Sequence, residues 1–450
     1  MVAASLREPT IRIGHPTCRL SGHCLSRQVP RNQQRPNPFQ IHPPRLRIQD
    51  PSPQRQAQSR ILYPFKPPAS NSSLQQRRHI STYGYTQSKA LVYSTYGEPK
   101  TALKLHTYSL SPPTSTKVTL RMLAAPVNPA DVNQIQGSYP TKPELTSTLG
   151  TSGPSAVGGN EGVAEVIATG ANVKTLDHGD WVVMRRSNMG TWRTHLQADE
   201  GEVMKIDKAD REGLSPLQIG TASVNPITAY RMLIDFAQWE FRGGIGEGEW
   251  FVQNGANSAV GRAAIQLARA WGLKSLNVVR ERQGWEQVKT ELENLGATRV
   301  ITDTELTSSR EFHEKHLPCW TNDGREPIRL ALNCVGGKPA TALAKLLDPD
   351  CHMVTYGAMS RQPTQLPASL LIFQNVTMSG FWLTRWGNKH PGLKRQTLND
   401  IVQMMRRGSL TAGPFEEIKW HDDTKIDELA QLVQTTLQGG RKGKAVFVFD

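Results

Sequence analysis

Two runs carry residues whose type and spacing could do chemistry. The first is Trp250-Phe251-Val252-Gln253-Asn254-Gly255-Ala256-Asn257-Ser258-Ala259-Val260-Gly261, followed by the helical pattern Arg262 to Ala268. An apolar strand, a turn of small residues and a helix in that order let backbone approach a pyrophosphate, which then meets free N–H groups and the positive helix end. Asn257, Ser258, Ala259 and Val260 are the residues placed at that turn. The glycine pattern is thinner than in a Gly-rich fingerprint, since Ser258 and Ala259 stand where glycine would be; the strand–turn–helix–strand context carries the reading. The second run is Val278-Val279-Arg280-Glu281-Arg282, at the end of the next strand. An acid there favours a ribose 2′-hydroxyl and arginine favours a 2′-phosphate, which a guanidinium fork grips bidentately. Two arginines flank the single acid, so Arg280 and Arg282 point to NADPH. The run Gly243-Gly244-Ile245-Gly246-Glu247-Gly248 is a decoy: it precedes the strand, where its N–H groups cannot form a phosphate cradle, and it reads as a loop.

Composition narrows the classes. The chain has 450 residues, 53 Lys+Arg, 39 Asp+Glu and five cysteines. None of the cysteines lies between Cys24 and Cys319, so neither a disulfide scaffold nor a four-cysteine zinc lobe can form in the first half of the body. No apolar run reaches the ~18 residues of a membrane span. The positive charge is uneven: residues 1–90 hold 14 Lys+Arg and only Glu8 and Asp50, whereas the remainder holds 39 basic and 37 acidic residues. A nearly neutral body argues against nucleic acid as a partner. The leading segment, rich in Arg, Gln, Ser and Pro and without an apolar core, reads as an organellar transit peptide, with delivery to the mitochondrial matrix expected.

These chemical runs must be positioned by folded elements. From about Gln87 short β-branched segments predominate: Ala90 to Tyr93, Lys117 to Met122, Gly162 to Ala168 and Gly179 to Met184, with one helix near Pro129 to Gln136. That portion reads as a closed, barrel-like sheet. Between about 225 and 380 apolar strands alternate with helical patterns, the signature of a parallel sheet with crossover helices. The tail reads as helix over Leu398 to Arg407 and Lys425 to Leu437, then the strand Ala445 to Phe449.

With those elements in order, a resemblance can be named. The runs Ala125 to Pro140, Gly159-Asn160-Glu161-Gly162, Gln253 to Gly261, Val279 to Arg282, Tyr356-Gly357-Ala358-Met359 and Gly380-Phe381-Trp382-Leu383 resemble the mitochondrial trans-2-enoyl-thioester reductases of the medium-chain dehydrogenase/reductase superfamily. The resemblance implies an α/β protein in which a GroES-like, β-rich catalytic domain is split in sequence around a Rossmann doubly wound parallel-sheet domain. The expected division is a leader over 1–86, the first catalytic part over 87–224, the NADPH-binding domain over 225–394 and a return to the catalytic domain over 395–450. It further implies a homodimer, acyl carrier protein as the bearer of the substrate, and reduction of a 2-enoyl thioester with Tyr139 as proton donor. Asn225, Tyr356, Gly357, Ala358, Met359, Phe381, Trp382, Leu383 and Lys444 are expected on the cofactor side. Where zinc enzymes of this architecture carry Gly-His-Glu, this chain has Asn160, a poor zinc ligand, so metal-free chemistry is expected. Glu281 departs from the aspartate of the family run but keeps its charge. The alternative on the same scaffold is a zinc-independent quinone or small-enone reductase. The run Arg385 to Arg395 has four formal positive charges and no acid, with Arg406 and Arg407 as an extension, and is a candidate docking patch for the acidic carrier.

Overall fold

The computed structural model describes residues 84–239, 248–438 and 442–450. The transit-peptide reading, apart from its last three residues, and nearly all of the Gly243–Gly248 run therefore lie outside the described residues.

The strands, in chain order, are β1 (Thr86–Tyr93), β2 (Lys104–Leu110), β3 (Lys117–Pro126), β4 (Ala156–Val157), β5 (Val163–Thr169), β6 (Trp181–Met184), β7 (His195–Asp199), β8 (Val203–Ile206), β9 (Trp250–Asn254), β10 (Lys274–Val279), β11 (Arg299–Thr302), β12 (Ile328–Asn333), β13 (His352–Thr355), β14 (Thr377–Gly380), β15 (Phe415–Trp420) and β16 (Lys444–Phe449). β9 to β14 form one six-stranded parallel sheet in the order β11-β10-β9-β12-β13-β14. Every residue of β9 is buried, as expected for a strand covered on both faces. Its alternate side chains divide between two cores. Phe251 joins Leu330, Leu332 and Val354 on one face. Trp250 and Val252 join Leu276, Val278 and Met353 on the other. Each such large side chain contributes about 1.5–3 kcal/mol by leaving water. The order reverses between β9 and β12, and in a doubly wound sheet the crevice beyond the carboxyl ends at that reversal is where ligands bind.

The other strands build the β-rich part. β3 lies at its centre in the order β15-β16-β3-β5-β6-β8, with β7 also on β3, and β2-β1-β4 form a small separate sheet. The C-terminal strands thus return to the first part of the chain: β16 pairs antiparallel with β3. The barrel expected from sequence is not one continuous ladder: none joins β15 to β8 among the described residues, but the Leu91 N–H donates to Trp192 O and the Thr194 N–H to Lys89 O, both at 2.9 Å, tying β1 to the segment that enters β7. The enclosed core packs Trp192 and Trp420 edge to face on Phe447 at 5.6 and 5.5 Å. The helix Pro391–Arg406 starts earlier than the sequence pattern suggested and buries Leu398, Ile401, Val402 and Met405 against the helix Asn225–Asp235 side of the parallel sheet. Among the described residues no helix is long and apolar enough to cross a membrane.

Candidate active site

Tyr139 sits on a turn built by the helix Pro129–Ile135. The helix end folds back on itself: the Gly137 N–H donates to Gln134 O at 3.0 Å, and the Ser138 and Tyr139 N–H groups donate to Asn133 O at 2.9 and 3.2 Å. Gly137 has φ +77°, and a Cβ there would lie 3.0 Å from the Tyr96 side chain, so glycine is needed for the turn. The Tyr139 ring is thereby presented to the parallel-sheet part. There, Trp382 follows β14 and donates its indole N–H to the Tyr139 hydroxyl at 3.0 Å, the two rings meeting edge to face at 6.2 Å. Burial pushes the phenol pKa up; the Trp382 hydrogen bond acts against this, and the Asp131 charge adds to it. The group stays a protonated acid at neutral pH.

Beneath the turn lies a buried polar network. Lys444 Nζ donates to Asn128 Oδ1 at 2.6 Å, Asn225 Nδ2 donates to the same oxygen at 3.2 Å, and Asn128 Nδ2 donates to Glu161 Oε2 at 2.9 Å. Glu161 also accepts the Val224 N–H at 2.8 Å. Asp131, almost fully buried, accepts the Asn128 N–H at 2.7 Å and an Asn160 amide hydrogen at 2.6 Å. Burial raises the Asp131 carboxyl to about 6 and raises Glu161, while it lowers Lys444, whose charge both carboxylates support. Lys444, expected on the cofactor side, is thus placed by the structure in this network.

Two glycines shape the turn between β9 and the helix Ala259–Ala270. Gly255 has φ +60° and a Cβ there would lie 2.5 Å from Cys334 Sγ; at Gly261 it would lie 2.4 Å from the Ala256 carbonyl oxygen. Ser258 caps the helix Ala259–Ala270 by accepting the Gly261 N–H at 3.1 Å, leaving the first-turn N–H groups of Ala259 and Val260 without intrahelical partners. The run after β13 closes over this turn: Tyr356 and Met359 donate their N–H groups to Asn333 and Cys334 carbonyls at 3.0 and 2.9 Å. The Tyr356 hydroxyl is buried beside Cys334 and Ser258 without a well-formed hydrogen bond, and a Cβ on Gly357 would crowd Cys334 at 3.2 Å. Ala358 and Met359 are exposed, and Asn257 is partly buried at the turn. Arg280 and Arg282 are exposed and have no ion pair among the described residues, while the Glu281 N–H donates to Asp303 Oδ1 at 2.8 Å. Phe381 turns its ring into the core against Phe236 at 6.1 Å, and Leu383 packs on the same core. A turn with no room for a Cβ at Gly255 and Gly261, the buried Tyr356 hydroxyl beside it and two guanidinium groups without ion pairs fit a phosphorylated dinucleotide.

Residues 114–209 match the alcohol dehydrogenase GroES-like domain, and residues 259–403 match a family described as zinc-binding dehydrogenase. Enoyl-acyl-carrier-protein reductase 2, mitochondrial, of Debaryomyces hansenii is 40% identical over 391 residues, which is 84% of this chain and 97% of that protein. The Candida tropicalis mitochondrial 2-enoyl thioester reductase Etr1p/Etr2p heterodimer superposes with a TM-score of 0.75 at 37% identity, over 81% of this chain and 100% of that one. A complex of Etr1p with NADP and crotonyl-CoA superposes equally well, with a TM-score of 0.75 at 38% identity over 81% of this chain and 100% of that one. The chain belongs to the mitochondrial enoyl-acyl-carrier-protein reductases.

The zinc in one family description does not fit this reductase. At the position in question Asn160 spends its amide nitrogen on Asp131 and on Gln134 at 2.7 Å, and a donating amide nitrogen has no lone pair for a metal. No group of three His, Cys, Asp or Glu side chains among the described residues could hold a metal ion. Two features of the cluster around Tyr139 escaped the sequence. Asp131 lies in a run read only as part of a resemblance, although an acid three residues after Asn128 at a helix start is a legible capping signal. The partnership of Trp382 with Tyr139 carries no local signal at all. The basic run also needs correction. Lys394 is not a rim charge: its Nζ donates to the Arg185 carbonyl at 2.6 Å, and burial lowers its pKa to about 8. Arg406 approaches Glu212 at 3.8 Å, which offsets its charge. Arg385, Lys389 and Arg395 stay exposed.

Proposed function

We propose that this protein reduces trans-2-enoyl thioesters to saturated acyl thioesters in mitochondrial fatty acid synthesis, with NADPH as reductant. The observation that supports this best is the Tyr139 hydroxyl, whose pKa burial raises further and which is held 3.0 Å from Trp382 Nε1. NADPH, when bound, would be the source of the hydride for the β-carbon of the enoyl group. The chain's residues do the rest. The turn at Asn257 to Val260 and the Tyr356 to Met359 run would hold the dinucleotide, Arg280 and Arg282 would grip its 2′-phosphate, and Asn225 ties Asn128 into the network. Phe381, Trp382 and Leu383 back the cleft, the first through packing. Tyr139 donates its proton to the α-carbon as the enolate collapses, a transfer of the general-acid kind. Lys444 keeps Asn128 and Glu161 in place below.

The substrate arrives on acyl carrier protein, an anionic partner that the exposed Arg385, Lys389 and Arg395 would steer. The protein is a homodimer in the mitochondrial matrix, delivered there by its Arg-rich leader. The dimer reading draws on β14: it is an edge strand of the parallel sheet, and Met378 on it is 40% exposed beside Ile372 and Phe373 at 69% and 81%. Such an apolar open edge invites pairing with a second copy. The catalytic part spans 87–224 and 395–450 and the cofactor-binding part 225–394, the second boundary falling inside the helix Pro391–Arg406. The test is NADPH oxidation by purified protein with crotonyl-CoA and, separately, with a quinone. Turnover of the thioester is expected; turnover of the quinone alone would overturn the reading.

A further inference from the structure

Asn160 precedes β5, and its side-chain amide is fully used. Its Nδ2 donates to Asp131 Oδ1 at 2.6 Å and Gln134 Oε1 at 2.7 Å, and its Oδ1 accepts the Asn188 backbone N–H at 2.6 Å. The partners fix the amide's orientation, since a backbone N–H only donates and a carboxylate oxygen only accepts. Gln134, oriented in turn by Asn160, donates its Nε2 to the Thr141 carbonyl at 2.9 Å and to Asn188 Oδ1 at 2.8 Å.

Two arms leave this junction. One reaches Tyr139 from both sides. Asp131 and Gln134 belong to the helix whose terminal carbonyls hold Gly137, Ser138 and Tyr139, and Gln134 also fastens Thr141, two residues past the phenol. The other arm reaches Trp382. Asn188 adjoins Ser187, whose Oγ is 3.1 Å from Thr384 Oγ1, and Thr384 lies in the first turn of the helix Leu383–Lys389 that Trp382 precedes. The circuit closes at the Trp382–Tyr139 hydrogen bond. Helix and turn on one arm, loop and helix on the other, meet at a single amide.

We infer that Asn160 is a positioning residue for proton transfer: it sets Tyr139 against Trp382 so that the phenol faces the substrate. This rests on the reading of Tyr139 as the acid. Asn160→Ala would leave the Asn188 N–H and two buried acceptors unpaired and release both arms. Misplacing a reacting group by about 1 Å can cost on the order of 100-fold in rate, so the loss falls on the chemical step and not on cofactor binding.

The experiment is a double-mutant cycle read by single turnovers, with NADPH-loaded enzyme in excess over crotonyl-CoA, accompanied by NADPH titration and thermal unfolding. Asn160→Ala is expected to slow the wild type about 10- to 100-fold with NADPH affinity little changed. In the Tyr139→Phe background the same change should have almost no further effect, because there is no proton donor left to misplace. Multiplicative losses would overturn the inference and make Asn160 an ordinary packing residue. If Asn160→Ala does not fold, Asn160→Ser decides by the same criterion: it keeps a polar group at the site, but a hydroxyl has one donor hydrogen and cannot serve Asp131 and Gln134 together. A wild type inert towards crotonyl-CoA would instead overturn the enoyl-reductase reading itself, whereas an active wild type with multiplicative losses sinks only the role of Asn160.

Discussion

The indole N–H of Trp382 donates a 3.0 Å hydrogen bond to the hydroxyl of Tyr139, 243 positions away in the chain. One partner belongs to the turn after the helix Pro129–Ile135 and the other follows the last strand of the parallel sheet. The phenol of Tyr139 and the end of the parallel sheet are therefore held in register by a contact between distant segments of the chain. Tyr139→Phe should fold and bind NADPH while losing on the order of 10²–10⁴-fold in turnover. Trp382→Phe should be milder, about five- to tenfold, since it removes one neutral hydrogen bond and leaves the phenol. Steady-state kinetics on crotonyl-CoA with melting temperatures check both; a Tyr139→Phe enzyme at full rate would reduce that tyrosine to packing.

Cofactor choice should rest on the free guanidinium groups of Arg280 and Arg282. Replacing both by alanine should raise the KM for NADPH about tenfold or more, because each charge-assisted hydrogen bond to a phosphate is worth about 1.5–3 kcal/mol. The KM for NADH should hardly move. Equal effects on the two cofactors would make these residues ordinary surface charge.

The docking patch should discriminate between substrates. Charge reversal at Lys389 and Arg395 should slow turnover of carrier-linked enoyl chains, with the deficit shrinking as salt rises through the Debye screening range. Crotonyl-CoA turnover should be spared. If both substrates suffer alike, the carrier docks elsewhere.

Lys394 should leave a signature in stability against pH. Burial lowers its folded pKa to about 8, with the neighbouring Arg185 charge acting the same way and Glu161 opposing it. A free lysine titrates near ~10.4, so between about 8 and 10.4 the unfolded chain binds the extra proton and stability contributed at this site rises with pH. Below 8 both states are charged and the full cost is present. Lys394→Met should therefore melt higher than the wild type at pH 7, with the gap narrowing towards pH 10. A gap that is constant over that range would show that Lys394 is not held in a charge-disfavouring site.

The edge strand β14 should hold the dimer. Met378→Lys with Phe373→Glu places charge on the exposed apolar edge and should shift sedimentation from dimer to monomer, with NADPH binding retained. A wild-type monomer, or a variant that stays dimeric, would refute this interface.

The strand–turn–helix unit from Trp250 to Ala270 was legible in the sequence because it is local: its elements are consecutive and follow from alternation, small residues and a serine cap. The exposed place of Arg280 and Arg282 just past the next strand is equally local. The parallel sheet was legible from apolar strands alternating with helices. The polar network was not. Lys444, Asn128, Glu161 and Asn225 come from four separate segments, and only the antiparallel pairing of β16 with β3 brings the lysine beside Asn128. Likewise, nothing near Lys394 distinguishes it from Lys389, yet one is half-buried with its ammonium on the Arg185 carbonyl and the other is exposed. Sequence determines which side chains can donate, accept or carry charge, because those are properties of single residues and near neighbours. Which of them meet, and what desolvation does to their protons, depends on contacts across hundreds of residues, and these exist only once the chain has closed on itself.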